Sequence, residues 1–128
     1  MKGALVVSQD ANLVPKAVAA GEGLDGCVLD WGDDAEVMLR DTVSGDYFLL
    51  YGSPSGFEDD GVPLRPRQGV TLPEGSSSAT YVVECRSESL FARCARWLAL
   101  LAEGATWVVD GNYVAWDARS VDPGEVQL

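Results

Sequence analysis

The apolar residues of this chain repeat with two different periods, and each change of period marks an element. Gly3 to Ser8 is a short, nearly apolar run that predicts an opening strand. Residues 14–20 predict a short helix, with Asn12 as its cap, Pro15 in the first turn and Gly21 and Gly23 as its stop. A meander of three strands follows. Gly26 to Trp31 turns at Gly32-Asp33-Asp34 into Glu36 to Asp41, which turns at Ser44-Gly45-Asp46 into Tyr47 to Tyr51. In the second of these, Val37 and Leu39 face one way and Glu36, Met38 and Arg40 the other. The third is apolar on both faces, as expected of a strand inside its sheet.

Residues 52–78 break the pattern with five Gly, four Pro and five Ser. They predict a long loop, with a short extended piece at Val70-Thr71-Leu72, and loops of this length in a compact domain are often functional. The alternative, a linker between two domains, leaves each half small, so the expectation is one domain over 1–128. Tyr81 to Arg86 is the next strand. Ser87 then offers a cap, Glu88 suits the first turn, and Gly104 supplies a stop. Between them a helix over 88–103 carries Leu90, Phe91, Cys94, Trp97, Leu98 and Leu101 on one broad stripe. Thr106–Asp110 and Tyr113–Asp117 flank Gly111-Asn112, which predicts a two-residue hairpin turn. In that register Trp107 opposes Trp116, Val109 opposes Val114, and all four pack on the helix stripe. The tail carries Val121, Val126 and Leu128 around Pro123-Gly124 and is expected to dock as an edge piece. The fold class is therefore α+β: a mainly antiparallel sheet against one long amphipathic helix, with a short helix near the start.

Charge narrows the partners. The chain of 128 residues carries 9 Lys and Arg against 20 Asp and Glu, a formal net charge of −11. Such a field repels nucleic acid phosphates and anionic lipid and steers a basic protein surface toward this one. The imbalance lies in residues 1–60, with twelve acids and three bases, against eight and six in the remainder. The apolar run at the start is too short for a signal peptide, and nothing approaches the ~20 apolar residues of a membrane span. A cytoplasmic location, with no membrane partner, is expected. Seven Arg against two Lys, with abundant Ala, Gly and Val, fits a GC-rich bacterial genome.

Catalytic chemistry is hard to find. There is no His, which removes the commonest general base and the Ser-His-Asp and Cys-His arrangements. Gly21-Glu22-Gly23-Leu24-Asp25-Gly26 matches a dinucleotide-binding spacing, but it follows a helix, opens a strand and places two acids where a pyrophosphate would sit. Gly52-Ser53-Pro54-Ser55-Gly56 puts a proline where a nucleophile elbow needs its serine. Asp30, Asp33, Asp34 and Glu36 have the wrong spacing for a calcium loop. Cys27, Cys85 and Cys94 form no metal spacing, and reduced thiols are expected, a Cys85–Cys94 disulfide being the alternative. No cofactor and no metal are expected.

Two acidic clusters each hold an aromatic: Asp30-Trp31-Gly32-Asp33-Asp34-Ala35-Glu36 and Phe57-Glu58-Asp59-Asp60. An aromatic anchor among charges is a common build for an interface, so Asp30, Trp31, Asp33, Asp34, Glu36 and Phe57, Glu58, Asp59, Asp60 are the candidate partner-binding residues. The alternative is that these are solvated turns whose aromatics tuck into the core. The segment from Tyr81 to Leu128, a strand, an amphipathic helix, Trp-Val-Val-Asp-Gly-Asn and Val-Asp-Pro-Gly-Glu-Val-Gln-Leu, resembles the closing part of small acidic bacterial proteins that include immunity proteins of polymorphic or contact-delivered toxin systems. The likeness spans 48 residues and carries no site residue across. It implies a cytoplasmic, non-catalytic inhibitor of one cognate protein toxin with a basic surface. A small carboxylate- or Cys-based enzyme and a self-associating adaptor are the alternatives.

Overall fold

A computed structural model describes residues 3–52, 65–66, 70 and 79–128. The elements, in chain order, are β1 (Gly3–Ser8), α1 (Leu13–Ala20), β2 (Cys27–Gly32), β3 (Glu36–Asp41), β4 (Tyr47–Gly52), β5 (Arg65–Pro66), β6 (Ala79–Cys85), α2 (Glu88–Leu101), β7 (Thr106–Val109) and β8 (Val114–Asp117). One sheet holds all the strands in the order β2-β3-β4-β6-β1-β7-β8-β5. Every pairing is antiparallel except that of the two-residue β5 with β8. The fold is α+β, as the two periods predict.

Both helices pack on one face of the sheet. Strand alternation sends Val6, Val37, Leu39, Phe48, Leu50, Val83 and Val108 to that side, where they meet Leu13 and Ala17 of α1 and Leu90, Phe91 and Leu98 of α2 in one cluster. The rings of Phe48 and Phe91 lie 6.2 Å apart between centroids. Burying a side chain of this size contributes about 2–3 kcal/mol. Five of the six stripe residues of α2 are buried, and Leu101, at its last turn, is half-buried.

The ends of the helices show what long-range contacts add. The Ser87 hydroxyl accepts from the Leu90 amide at 3.2 Å and caps α2 as predicted. The helix closes at Leu101, two residues before the expected end, because the Glu103 amide donates to the Asp10 carboxylate at 2.9 Å instead of extending the turn. Asp10 is 5% exposed and also accepts from the Asn12 amide at 2.8 Å and from the Lys16 ammonium. Asn12, the expected cap of α1, makes no side-chain cap bond. Tyr81 completes this junction, donating to the Asp10 carbonyl at 2.9 Å and accepting from the Leu13 amide at 3.3 Å.

The closing hairpin differs from its expected register. Trp107 pairs with Asp117, Val108 with Trp116 and Val109 with Ala115, one residue out from the predicted pairing. The reason is local. The Tyr113 amide donates to the Asp110 carbonyl, the Asp110 amide to the Val114 carbonyl, each at 3.0 Å, and Tyr113 takes φ 61°. This is a three-residue loop with its last residue left-handed, not a two-residue turn. A shift of one residue reverses the faces. Trp116 enters the helix-side core, while Trp107 joins Val7, Val109, Ala115, Leu5 and Val70 on the opposite face. The tail forms no strand among the described residues. Val121 and Val126 are buried in the helix-side core, and Arg96 donates to the Val121 carbonyl at 3.0 Å.

Candidate functional site

The face of the sheet away from the helices holds the first acidic cluster, and a β-bulge puts it there. Leu29 pairs with Leu39, but the next pair is Trp31 with Met38, so Asp30 is an extra residue. Counting inward positions from Cys27 through Leu29 would send Trp31 toward α1. The bulge turns it to the outer face instead, where it is 43% exposed. Gly32 then takes the inward position, and no side chain fits: a Cβ there would lie 2.6 Å from Val18 Cγ2 of α1.

Registers lay the outer face out as rows. Val28 opposes Arg40, which opposes Tyr47; Trp31 opposes Met38, which opposes Leu49, which opposes Glu84; Glu36 opposes Tyr51, which opposes Val82. Asp30 accepts from Arg40 Nε at 2.8 Å and also holds its Nη2, so the bulge residue and the guanidinium lock one another. Asp33 is turned to local use, its carboxylate accepting from the Ala35 and Glu36 amides at 2.8 and 2.9 Å. Asp34 is exposed and Glu36 half-buried. These two line a cleft of about 350 Å³ with Asn12, Pro15, Tyr51 and Tyr81. Burial pushes the Tyr51 phenol above its ordinary value, and the carboxylates of Glu84 and Glu36 on either side push it further. A second depression, of about 510 Å³, lies over Gly3 and is bordered by Leu5, Val82, Glu84, Val109 and Tyr113.

The structure thus gathers Asp30, Trp31, Asp33, Asp34 and Glu36 on one hairpin. Phe57, Glu58, Asp59 and Asp60 lie outside the described residues, as do Thr71 and Leu72. The pattern missed Tyr47, Leu49, Tyr51 and Glu84 as neighbours of that hairpin. One signal was present: only one long helix is legible in the chain, so a strand apolar on both faces cannot be covered by helix on both.

The glycine-spaced segment at 21–26 continues α1 as a 3-10 turn and leads into β2, so it sits between a helix and a strand in the order opposite to a phosphate loop. Among the described residues, no group of three or more Cys, Asp or Glu is arranged to hold a metal, and no helix is long and apolar enough to cross a membrane. No family model, curated protein or solved structure matches the chain.

Proposed function

We propose that this protein is a non-catalytic binding protein, an immunity protein that holds and neutralises one cognate bacterial toxin in the cytoplasm. The observation that carries the reading is the bulge at Asp30, which turns Trp31 out of the core and sets it among acids on the outer face. A large aromatic held there by strand geometry is a rigid anchor, and such residues dominate interface energies. The formal charge of −11 gives the partner its sign: a basic surface, such as the cleft of an enzyme acting on a polyanion. Met38, Leu49, Tyr47 and Tyr51 supply the half-buried apolar ground around the anchor.

The test separates anchor from field. The partner is sought as the toxin encoded beside this protein, with purified complexes followed by stopped flow and surface capture. Trp31→Ala is expected to speed dissociation about thirtyfold, the equivalent of about 2 kcal/mol at a hot spot. Changing Asp33 and Asp34 to Lys is expected to slow association, by a factor that shrinks as salt rises over a Debye length of about 8 Å. If both variants bind and protect cells as the parent does, the surface lies elsewhere.

A further inference from the structure

The cleft beside the acidic hairpin exists because one inward position of the sheet has no side chain. Alternation along β4 sends Phe48 and Leu50 to the helix side, and the next inward position is Gly52, paired with the buried Tyr81. A Cβ at Gly52 would meet no heavy atom of the described residues within 4 Å. The gap lies between the end of β4 and the first turn of α1, where Val14 and Pro15 form the far wall. Its volume of about 350 Å³ is at the small end of ligand sites and suits one long side chain rather than a whole metabolite.

The walls select the charge of what enters. Asp34 and Glu36 border the cleft, and neither has a cationic partner among the described residues. The nearby cations are engaged elsewhere: Lys16 of α1 with Asp10, and Arg40 of β3 with Asp30. Glu36 stands directly across the strands from Tyr51, so a carboxylate and an aromatic ring share one rim. The α1 end offers an anion little. The Asn12 amide donates to Asp10 at 2.8 Å, the Leu13 amide to the Tyr81 hydroxyl at 3.3 Å, and Pro15 has no N–H. An apolar wall, an aromatic ring and open carboxylates together match an arginine side chain. Its methylenes can lie along Val14 and Pro15, its flat guanidinium on a tyrosine ring, and its N–H fork on a carboxylate.

We propose that this cleft receives one arginine side chain of the basic partner protein, seated beside the Trp31 anchor. The identity of the occupant rests on the outer face being the toxin-binding surface. Glu36 and Tyr51 stand one step along that face from the row of Trp31, Met38 and Leu49, about 7 Å away. A partner resting on Trp31 therefore has the mouth of the cleft within reach of its neighbouring side chains. The formal charge of −11 supplies the complement that a basic surface needs. In this arrangement Trp31 gives contact area, and the cleft decides which basic surface is accepted, because a guanidinium placed elsewhere on the partner leaves Glu36 and the gap at Gly52 unfilled.

The experiment separates the cleft from the anchor. The peptide acetyl-Gly-Arg-Gly-amide is titrated into the isotope-labelled protein at low salt and followed by amide chemical shifts. The same peptide with citrulline, which keeps the shape and removes the charge, is titrated beside it. The expected result is saturable shifts centred on Ala35, Glu36, Tyr51 and Gly52, with binding about tenfold weaker or more for citrulline. Gly52→Leu, which fills the gap, should abolish binding, and Glu36→Gln should weaken it about tenfold. The second variant keeps the test open if the first does not fold. Equal binding of the citrulline peptide, shifts centred elsewhere, or no saturable shift by about 10 mM peptide would each overturn the proposal. With the toxin, Gly52→Leu should raise the dissociation constant about tenfold. A loss in Trp31→Ala with none in Gly52→Leu overturns the cleft and leaves the outer face standing. If the peptide binds but neither variant affects the toxin, the outer-face reading fails, and the partner's arginine fails with it.

Discussion

The two hairpins of this sheet, β2–β3 and β7–β8, each carry one residue more than a regular ladder allows, and each uses it to decide where tryptophan goes. In β2–β3 the extra residue lies within the strand, at Asp30, and moves Trp31 from the helix side to the outer face. In β7–β8 it lies in the loop, at Tyr113, and sends Trp107 and Trp116 to opposite faces. Each loop is also gathered by an aspartate. Asp33 accepts two backbone amides in the open, while Asp110, 5% exposed, accepts the Asn112 and Val114 amides and also Trp116 Nε1 and the Gln127 amide, both at 3.2 Å. The local chemistry is the same. What differs is the layer above: the tail folds over one hairpin and makes it core, while the other is left as surface.

The largest effect expected from this contrast is on tryptophan. Trp116→Ala should destabilise the protein by about 3–5 kcal/mol, as emptying a buried aromatic site does. Trp31→Ala should cost less than about 1 kcal/mol. Urea unfolding measures both, and equal losses would erase the distinction. Next come the aspartates. Asp110→Asn turns one acceptor into a donor facing two N–H groups and should cost about 2–4 kcal/mol, whereas Asp33→Asn, in an exposed turn, should cost less than about 1 kcal/mol. The smallest effect is on pH. Backbone amides of Ser44 and Val43, with Arg93, hold the Asp41 carboxyl below its usual range, and Arg119 does the same for Asp117. A depressed folded pKa stabilises above the unfolded value, near 3.9, and that stability is lost as pH falls through the folded value. Urea midpoints should therefore fall below about pH 4 in the parent, and less steeply in Asp41→Asn and Asp117→Asn.

Periodicity located the strands of the meander and the buried stripe of α2, because each is written in adjacent residues. It could not register a bulge. Counting by twos from Cys27 puts Trp31 inside; only its acidic neighbours hinted otherwise. Gly111-Asn112 reads as a two-residue turn, and nothing in the pattern says that Tyr113 takes a left-handed conformation. The early end of α2 depends on Asp10, a residue far away in sequence whose partner cannot be read from spacing. The candidate site was legible as a run of acids around Trp31. Its neighbours Tyr47, Tyr51 and Glu84 were not, since they join it only through sheet register.

The place of β1 in the sheet also has a consequence for how the chain reaches this structure. Val6 pairs with Tyr81 on one side and with Val108 on the other, so the strand made early lies between two made late. The β2–β3–β4 meander is joined by short turns and can assemble from neighbours alone. β1 has no such neighbour and must wait for both of its own. Pairings this distant in sequence put folding in the slower range, milliseconds to seconds, and leave an unpaired apolar strand exposed in the meantime. A ribosome would hold that strand, Ala4-Leu5-Val6-Val7, without its sheet until β7 had emerged.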